Sequence, residues 1–154
     1  MTGCGGRRRR GPEAEGRRVS GERDPGRLLA GLSPRLAEEV FGFAVVAEVP
    51  EFAFMALVRE AEGLTVIAPR AALVAAGLPS GPGWACITLQ VHSSLEAVGL
   101  TAAVSAALAG AGIPANMVAG YHHDHLFVPW ARRAEALALL EGLAAGLSPP
   151  APAR

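Results

Sequence analysis

Apolar positions along the chain repeat with two different periods, and the switches between them mark out the elements. Over residues 84–92, Ala85, Ile87, Leu89 and Val91 alternate with Cys86, Thr88, Gln90 and His92, the period of two that a strand requires. Further on, Leu100, Val104, Ala107, Leu108 and Ala111 fall on one face of a helix that opens at Gly99 and is capped by Gly112. Residues 115–121 and 125–128 then form a hairpin, and a last helix over about residues 131–145 aligns Leu137, Leu140 and Ala144. This half reads β–α–β–β–α.

The first half has a different rhythm. Leu28, Leu29, Leu32 and Leu36 surround Ser33-Pro34 and predict a short helical lead-in, followed by a strand over residues 41–49 that runs into Pro50. Residues 54–59 and 64–68 are two more strands, joined at Glu60-Ala61-Glu62-Gly63, a hairpin turn in which glycine supplies the positive φ. Pro69 opens a short helix that Gly77 ends, and residues 79–83 are a linker. The order is β–β–β–α, and the strand at Trp84 can complete its sheet. The predicted class is therefore α+β, with antiparallel sheets carrying helices on one face, arranged as two halves over residues 27–82 and 83–147. The hairpin strands are apolar on both sides, so the second sheet face is expected to meet another sheet, from the first half or from another subunit.

Charge and composition narrow the functional classes. Of the 154 residues, half are apolar and few are aromatic, which gives a core of small side chains large enough for one domain or two very small ones. Residues 1–27 hold eight Arg against four acids and the remainder six Arg against ten, so the part expected to fold is acidic. That argues against a nucleic-acid-binding face on it. Residues 1–26 are rich in Gly, Arg, Glu and Pro and cannot bury enough surface to order themselves. They read as a disordered tail or a translated stretch upstream of the true start; the alternative is an arm for nucleic acid or an anionic membrane. Residues 148–154 are a second disordered, Pro-rich end. No segment looks like a membrane span, and the arginines at 7–10 are not followed by the apolar run of a signal peptide. Cys4 and Cys86 lie far apart with no paired spacing, which fits a reducing cytoplasm.

The candidate chemistry lies in two neighbouring stretches. GYHHDHLFVP, from Gly120, places His122, His123, Asp124 and His125 in or beside a tight turn between apolar strands. VGLTAAVSAALAGAGI, from Val98, opens a helix with a glycine, and the first N–H groups of a helix have no internal acceptor. A carboxylate placed over Val98, Gly99 and Leu100 would satisfy those donors, and Asp124 would accept from an ammonium, so the pair suits a zwitterion such as a free amino acid. Tyr121 with His122 or His123 would wall a side-chain pocket, while Asn116, Ser93 and Ser94 offer neutral polar contacts. The bland alternatives are a Gly99 that only joins loop to helix and an Asp124 that only shapes its turn. The turn's histidines are also metal-ligand types, but neighbours along a strand point to opposite faces. No nucleophile-elbow motif or paired carboxylate supports an enzyme.

The run SSLEAVGLTAAVSAALAGAGIPANMVAGYHHDHLFVP over residues 93–129 resembles the ACT domain, a small ligand-binding regulatory module of ferredoxin-like βαββαβ topology. REAEGLTVI, a short helix and WACITLQVHSSL are similar to small stand-alone proteins that pair two such domains, and the resemblance covers nearly all of residues 28–147. It implies binding of an amino acid or similar metabolite at an interface, without catalysis and without a cofactor or metal. The lining it implies is residues 92–100, 116–121 and 122–124, with Gly99-Leu100 and Asp124 taking the two ends of the ligand. The first half departs from that pattern: it lacks the family's first helix, so a ligand site there is expected to be missing. The expected protein is a cytoplasmic homodimeric sensor that contacts neither nucleic acid nor membrane. The alternatives are a metal-binding protein using the histidine turn and a ligand-free dimerisation module.

Overall fold

The structure is a computed structural model and describes residues 21–146. The expectations for residues 1–20 and 148–154 fall outside that range. Residues 21–26, predicted to belong to the unstructured tail, pair and turn instead: Glu22 bridges to Ser93 and helix α1 (Pro25–Ala30) begins four residues after the described range opens. The cause is local. Asp24 accepts from the Arg27 backbone N–H at 2.9 Å and Pro25 follows it, a capping side chain with proline in the first turn.

After α1 come β1 (Pro34–Val46), β2 (Ala56–Glu60), β3 (Gly63–Pro69), α2 (Arg70–Ala75) and β4 (Trp84–Leu89). Then follow α3 (Leu100–Gly110), β5 (Asn116–Ala119), β6 (Asp124–Pro129), a 3-10 turn (Trp130–Arg132) and α4 (Arg133–Ala144). The fold is α+β, as the pattern predicts. All six strands form one antiparallel sheet in the order β2-β3-β1-β4-β6-β5. Strands β1 and β4 lie side by side at its centre. Each therefore serves both halves: β4 closes the first half, and β1 supplies the fourth strand of β4-α3-β5-β6-α4. The first half has no helix between β1 and β2, the departure from the family pattern expected from the sequence.

Strand β1 departs most from expectation. It starts at Pro34, not at residue 41, and Leu36 belongs to it and not to a helical lead-in. Leu36 pairs with Ile87 and Val40 with Ala85, so four steps along β1 face two along β4. This bulge at Ala37, Glu38 and Glu39 interrupts the period of two and hides the first third of the strand.

The helices share one side of the sheet. Leu28 and Leu32, Leu100, Val104 and Leu108, and Ala136 and Leu140 pack on Ala85, Ile87, Leu89, Leu126 and Val128. On the other half of that side, Leu73 of α2 covers Ala44, Val66 and Ala68. A Cβ on Gly42 would lie 2.9 Å from Leu73 Cδ1 and 2.7 Å from the Ser80 carbonyl, so only glycine lets this helix and the following loop sit down on β1. The opposite side holds an aromatic cluster in which Phe127 meets Phe41 and Phe43 edge-to-face, with centroids 5.7 and 5.4 Å apart. No described helix covers that side, and Val45, Phe54 and Val58 are exposed.

Candidate functional site

Two local devices bring the loop after β4, the start of α3 and the β5–β6 turn together. The first is Gly99, held at φ 102°, which lets the chain reverse into α3 without any side-chain cap. The first bond of that helix runs from the Ala103 N–H to the Gly99 carbonyl at 2.9 Å, so the amides of Leu100, Thr101 and Ala102 precede the helical ladder. The second is Gly120, whose N–H donates to the His123 carbonyl at 3.0 Å. A Cβ there would stand 2.6 Å from that oxygen. The turn closes only with glycine, and it sets Asp124 at the start of β6, opposite Ala119 and Leu89.

Between these devices lies a recess of ≈ 90 Å³ lined by Ser93, Ser94, Leu95, Ala97, Leu100, Thr101, Ala119 and Asp124. Asp124 is 9% exposed and Ser94 3%. The Ser93 hydroxyl donates to Asp124 Oδ2 at a long 3.4 Å, and among the described residues no other side-chain bond to that carboxylate is made. The loop itself is pinned: Ser94 Oγ accepts from the Glu96 N–H at 3.2 Å, and the Ala97 N–H donates to the Ser94 carbonyl at 2.8 Å. From outside, Glu22 donates to the His92 carbonyl at 2.9 Å and accepts from the Ser94 N–H at 3.1 Å. A negative carboxylate thus faces the partly positive start of a helix across a small gap.

The structure unites Ser93, Ser94, Leu100 and Asp124 in one lining. Gly99 lies immediately beside it, whereas Val98 is 79% exposed and turned outward. Asn116 is not brought in. It pairs with Phe127, and since Met117 and Leu126 face the helices, alternation puts Asn116 on the aromatic side of the sheet. Tyr121, His122 and His123 flank the recess without lining it. Tyr121 and His122 stand 5.0 Å apart and His122 and His92 5.3 Å, a chain of edge-to-face rings along the outside of the turn. His123 Nδ1 is buried with no hydrogen-bond partner among the described residues. His125 points the other way, with Nδ1 2.9 Å from Thr88 Oγ1. Burial pushes its pKa down, the nearby His123 adds to the shift, and Asp124 opposes it. Among the described residues no three His, Cys, Asp or Glu side chains are placed to hold a metal ion.

Ala119 falls within the implied lining of residues 116–121, whereas Thr101 and Glu22 were missed. Thr101 follows Gly99 in the first helical turn, so it was within reach of the pattern. Glu22 was not, because nothing in its sequence neighbourhood announces a pairing with Ser93.

Residues 80–142 match a family model described as an ACT domain, and residues 20–81 match a second model of the same description. No curated protein matches the chain. A Vibrio cholerae protein of unknown function, described as a possible transport protein, is 41% identical over 77% of this chain and 94% of its own, with a TM-score of 0.70. An Agrobacterium tumefaciens protein is 19% identical over 72% of this chain and 87% of its own, with a TM-score of 0.61. The regulatory subunit of aspartate kinase from Thermus flavus is 10% identical over 71% of this chain and 95% of its own, with a TM-score of 0.51. The last two share the fold alone. No described helix is long and apolar enough to cross a membrane.

Proposed function

The chain belongs to the ACT-domain family, a family of regulatory ligand-binding modules, and from that premise we propose that it is a sensor of a free amino acid or closely related zwitterion. The ligand carboxylate lies against the amides of Leu100 and Thr101, and its ammonium donates to Asp124. The observation that carries this is a buried acid and an uncapped helix start lining one recess. At ≈ 90 Å³ that recess is well below the roughly 300 Å³ at which whole-ligand pockets begin, so it takes the polar end of the molecule. The ligand's side chain then extends along the ring chain of Tyr121, His122 and His92, which sets its selectivity.

Nothing in this proposal requires a bond to be made or broken. Binding ties the loop at Ser93 and Ser94 to the turn at Asp124 and so favours one arrangement of β4, α3 and β6 over others. We further propose two ACT-like halves, over residues 27–82 and 83–147, in a homodimeric cytoplasmic protein. The apolar sheet side with Val45, Phe54 and Val58 exposed supports a partner subunit.

Thermal-shift titration with the proteinogenic amino acids, each to millimolar levels, tests the ligand class. At least one should raise the melting temperature, and Asp124→Ala should abolish that response. A charge-assisted bond to a buried acid contributes about 1.5–3 kcal/mol, so the variant's affinity should fall at least tenfold. Stabilisation by none of the twenty, or a response untouched by Asp124→Ala, rejects the assignment.

A further inference from the structure

A second cavity lies in the other half of the molecule, on the far side of the β1 bulge. It measures ≈ 390 Å³ and is lined by Glu39, Val40, Pro69, Arg70, Ala71 and Val74, sharing no residue with the Asp124 recess. Its size falls within the range of small-molecule sites. Four of its six residues are apolar, and the remaining two carry opposite charges. Glu39 and Arg70 nevertheless form no ion pair with each other or with another described residue. Two opposite charges that line one largely apolar hollow without pairing match a ligand that carries both complements on an apolar body.

The backbone explains why they stay apart. Glu39 belongs to the bulge at which β1 gains residues against β4, while Arg70 opens α2 directly after β3 ends at Pro69. A neighbouring hollow of ≈ 220 Å³ shares Glu39 and Pro69 with it but opens on the aromatic side of the sheet, beside Phe41 and Met55. We propose that this cleft is a second binding site, for a small apolar zwitterion whose cation meets Glu39 and whose anion meets Arg70. It is independent of the ligand proposed at Asp124.

Backbone amide shifts of the full-length protein, titrated separately with L-leucine, isoamylamine and 4-methylpentanoate, test the cleft. Leucine should give saturable shifts at Val40, Arg70, Ala71 and Val74. Glu39→Gln should weaken leucine and isoamylamine but leave 4-methylpentanoate unchanged, and Arg70→Gln should do the converse. Each loss should be roughly two- to fivefold, the range an exposed ion pair supplies. Both side chains are exposed, so neither variant threatens folding. Asp124→Ala should leave these shifts intact, which separates this site from the first. Leucine shifts confined to Leu100, Thr101, Ala119 and Asp124, no shifts up to the solubility limit of leucine, or cleft shifts indifferent to both variants would overturn the second site.

Discussion

Replacing Gly99 with alanine isolates how the helix start is held. Gly99 sits at φ 102° and ψ −25°, and the nearest atom to a new Cβ would be Pro25 Cβ at 4.0 Å. The substitution therefore meets no obstruction, and its cost is almost purely conformational. A left-handed conformation costs an L-residue roughly 1–2 kcal/mol. Against this, alanine restricts the unfolded chain and returns about 0.4–1 kcal/mol. The net expectation is a loss of about 1 kcal/mol, read as a lower urea midpoint at unchanged slope and a melting temperature about 2–5 °C lower. Gly99→Asn should fall between parent and alanine, because asparagine tolerates the left-handed region better. Should alanine escape the strain by moving to negative φ, the amides of Leu100 and Thr101 would turn from the recess and ligand affinity would fall by more than stability. A Gly99→Ala protein as stable as its parent, with ligand response intact, would show that the positive φ has no part in holding the site.

Two further outcomes follow from buried side chains. Burial pushes the Cys86 thiol up to about 11, so in a Cys4→Ser background it should resist a thiol reagent at pH 8 while folded and react fully in urea; rapid stoichiometric labelling of the native protein would contradict this. His125 has its pKa lowered in the folded state, chiefly by burial, so folding favours its neutral form. As pH falls through about 6.5, the unfolded chain takes the proton first and stability should decline until the folded protein titrates too. Urea midpoints at pH 7.5 and 5.5 should differ less in His125→Asn than in the parent, and an equal difference would exclude His125 as the source.

The sequence pattern made the second half more legible than the first, and the reason is visible in individual residues. Alternation along β4 and the 3.6-residue spacing from Leu100 to Leu108 are uninterrupted, because each of those elements presents one face to a single helical layer. Strand β1 is different. Its bulge puts the acidic pair Glu38-Glu39 in mid-strand and breaks the apolar run there, and the Ser33-Pro34 step in front of it looks like the punctuation of a helix. That β4 could complete the first half's sheet was legible from the order of elements, but its pairing with β1 was not, since sheet order depends on partners remote in sequence. At the candidate site, Asp124, Ser93, Ser94 and Leu100 were identified from chemical type and order. Asn116 was assigned to it although the period of two already separates Asn116 from Ala119. What was missing was knowledge of which hairpin face meets α3, and that is decided by Met117 and Leu126 packing into the helical layer.

The pairing of β1 with β4 has one more implication. Cutting the polypeptide in the loop before Trp84 would strip each fragment of a middle strand and bare the Phe127 cluster, so neither piece should survive as a free-standing product. Denaturation should accordingly run as a single step.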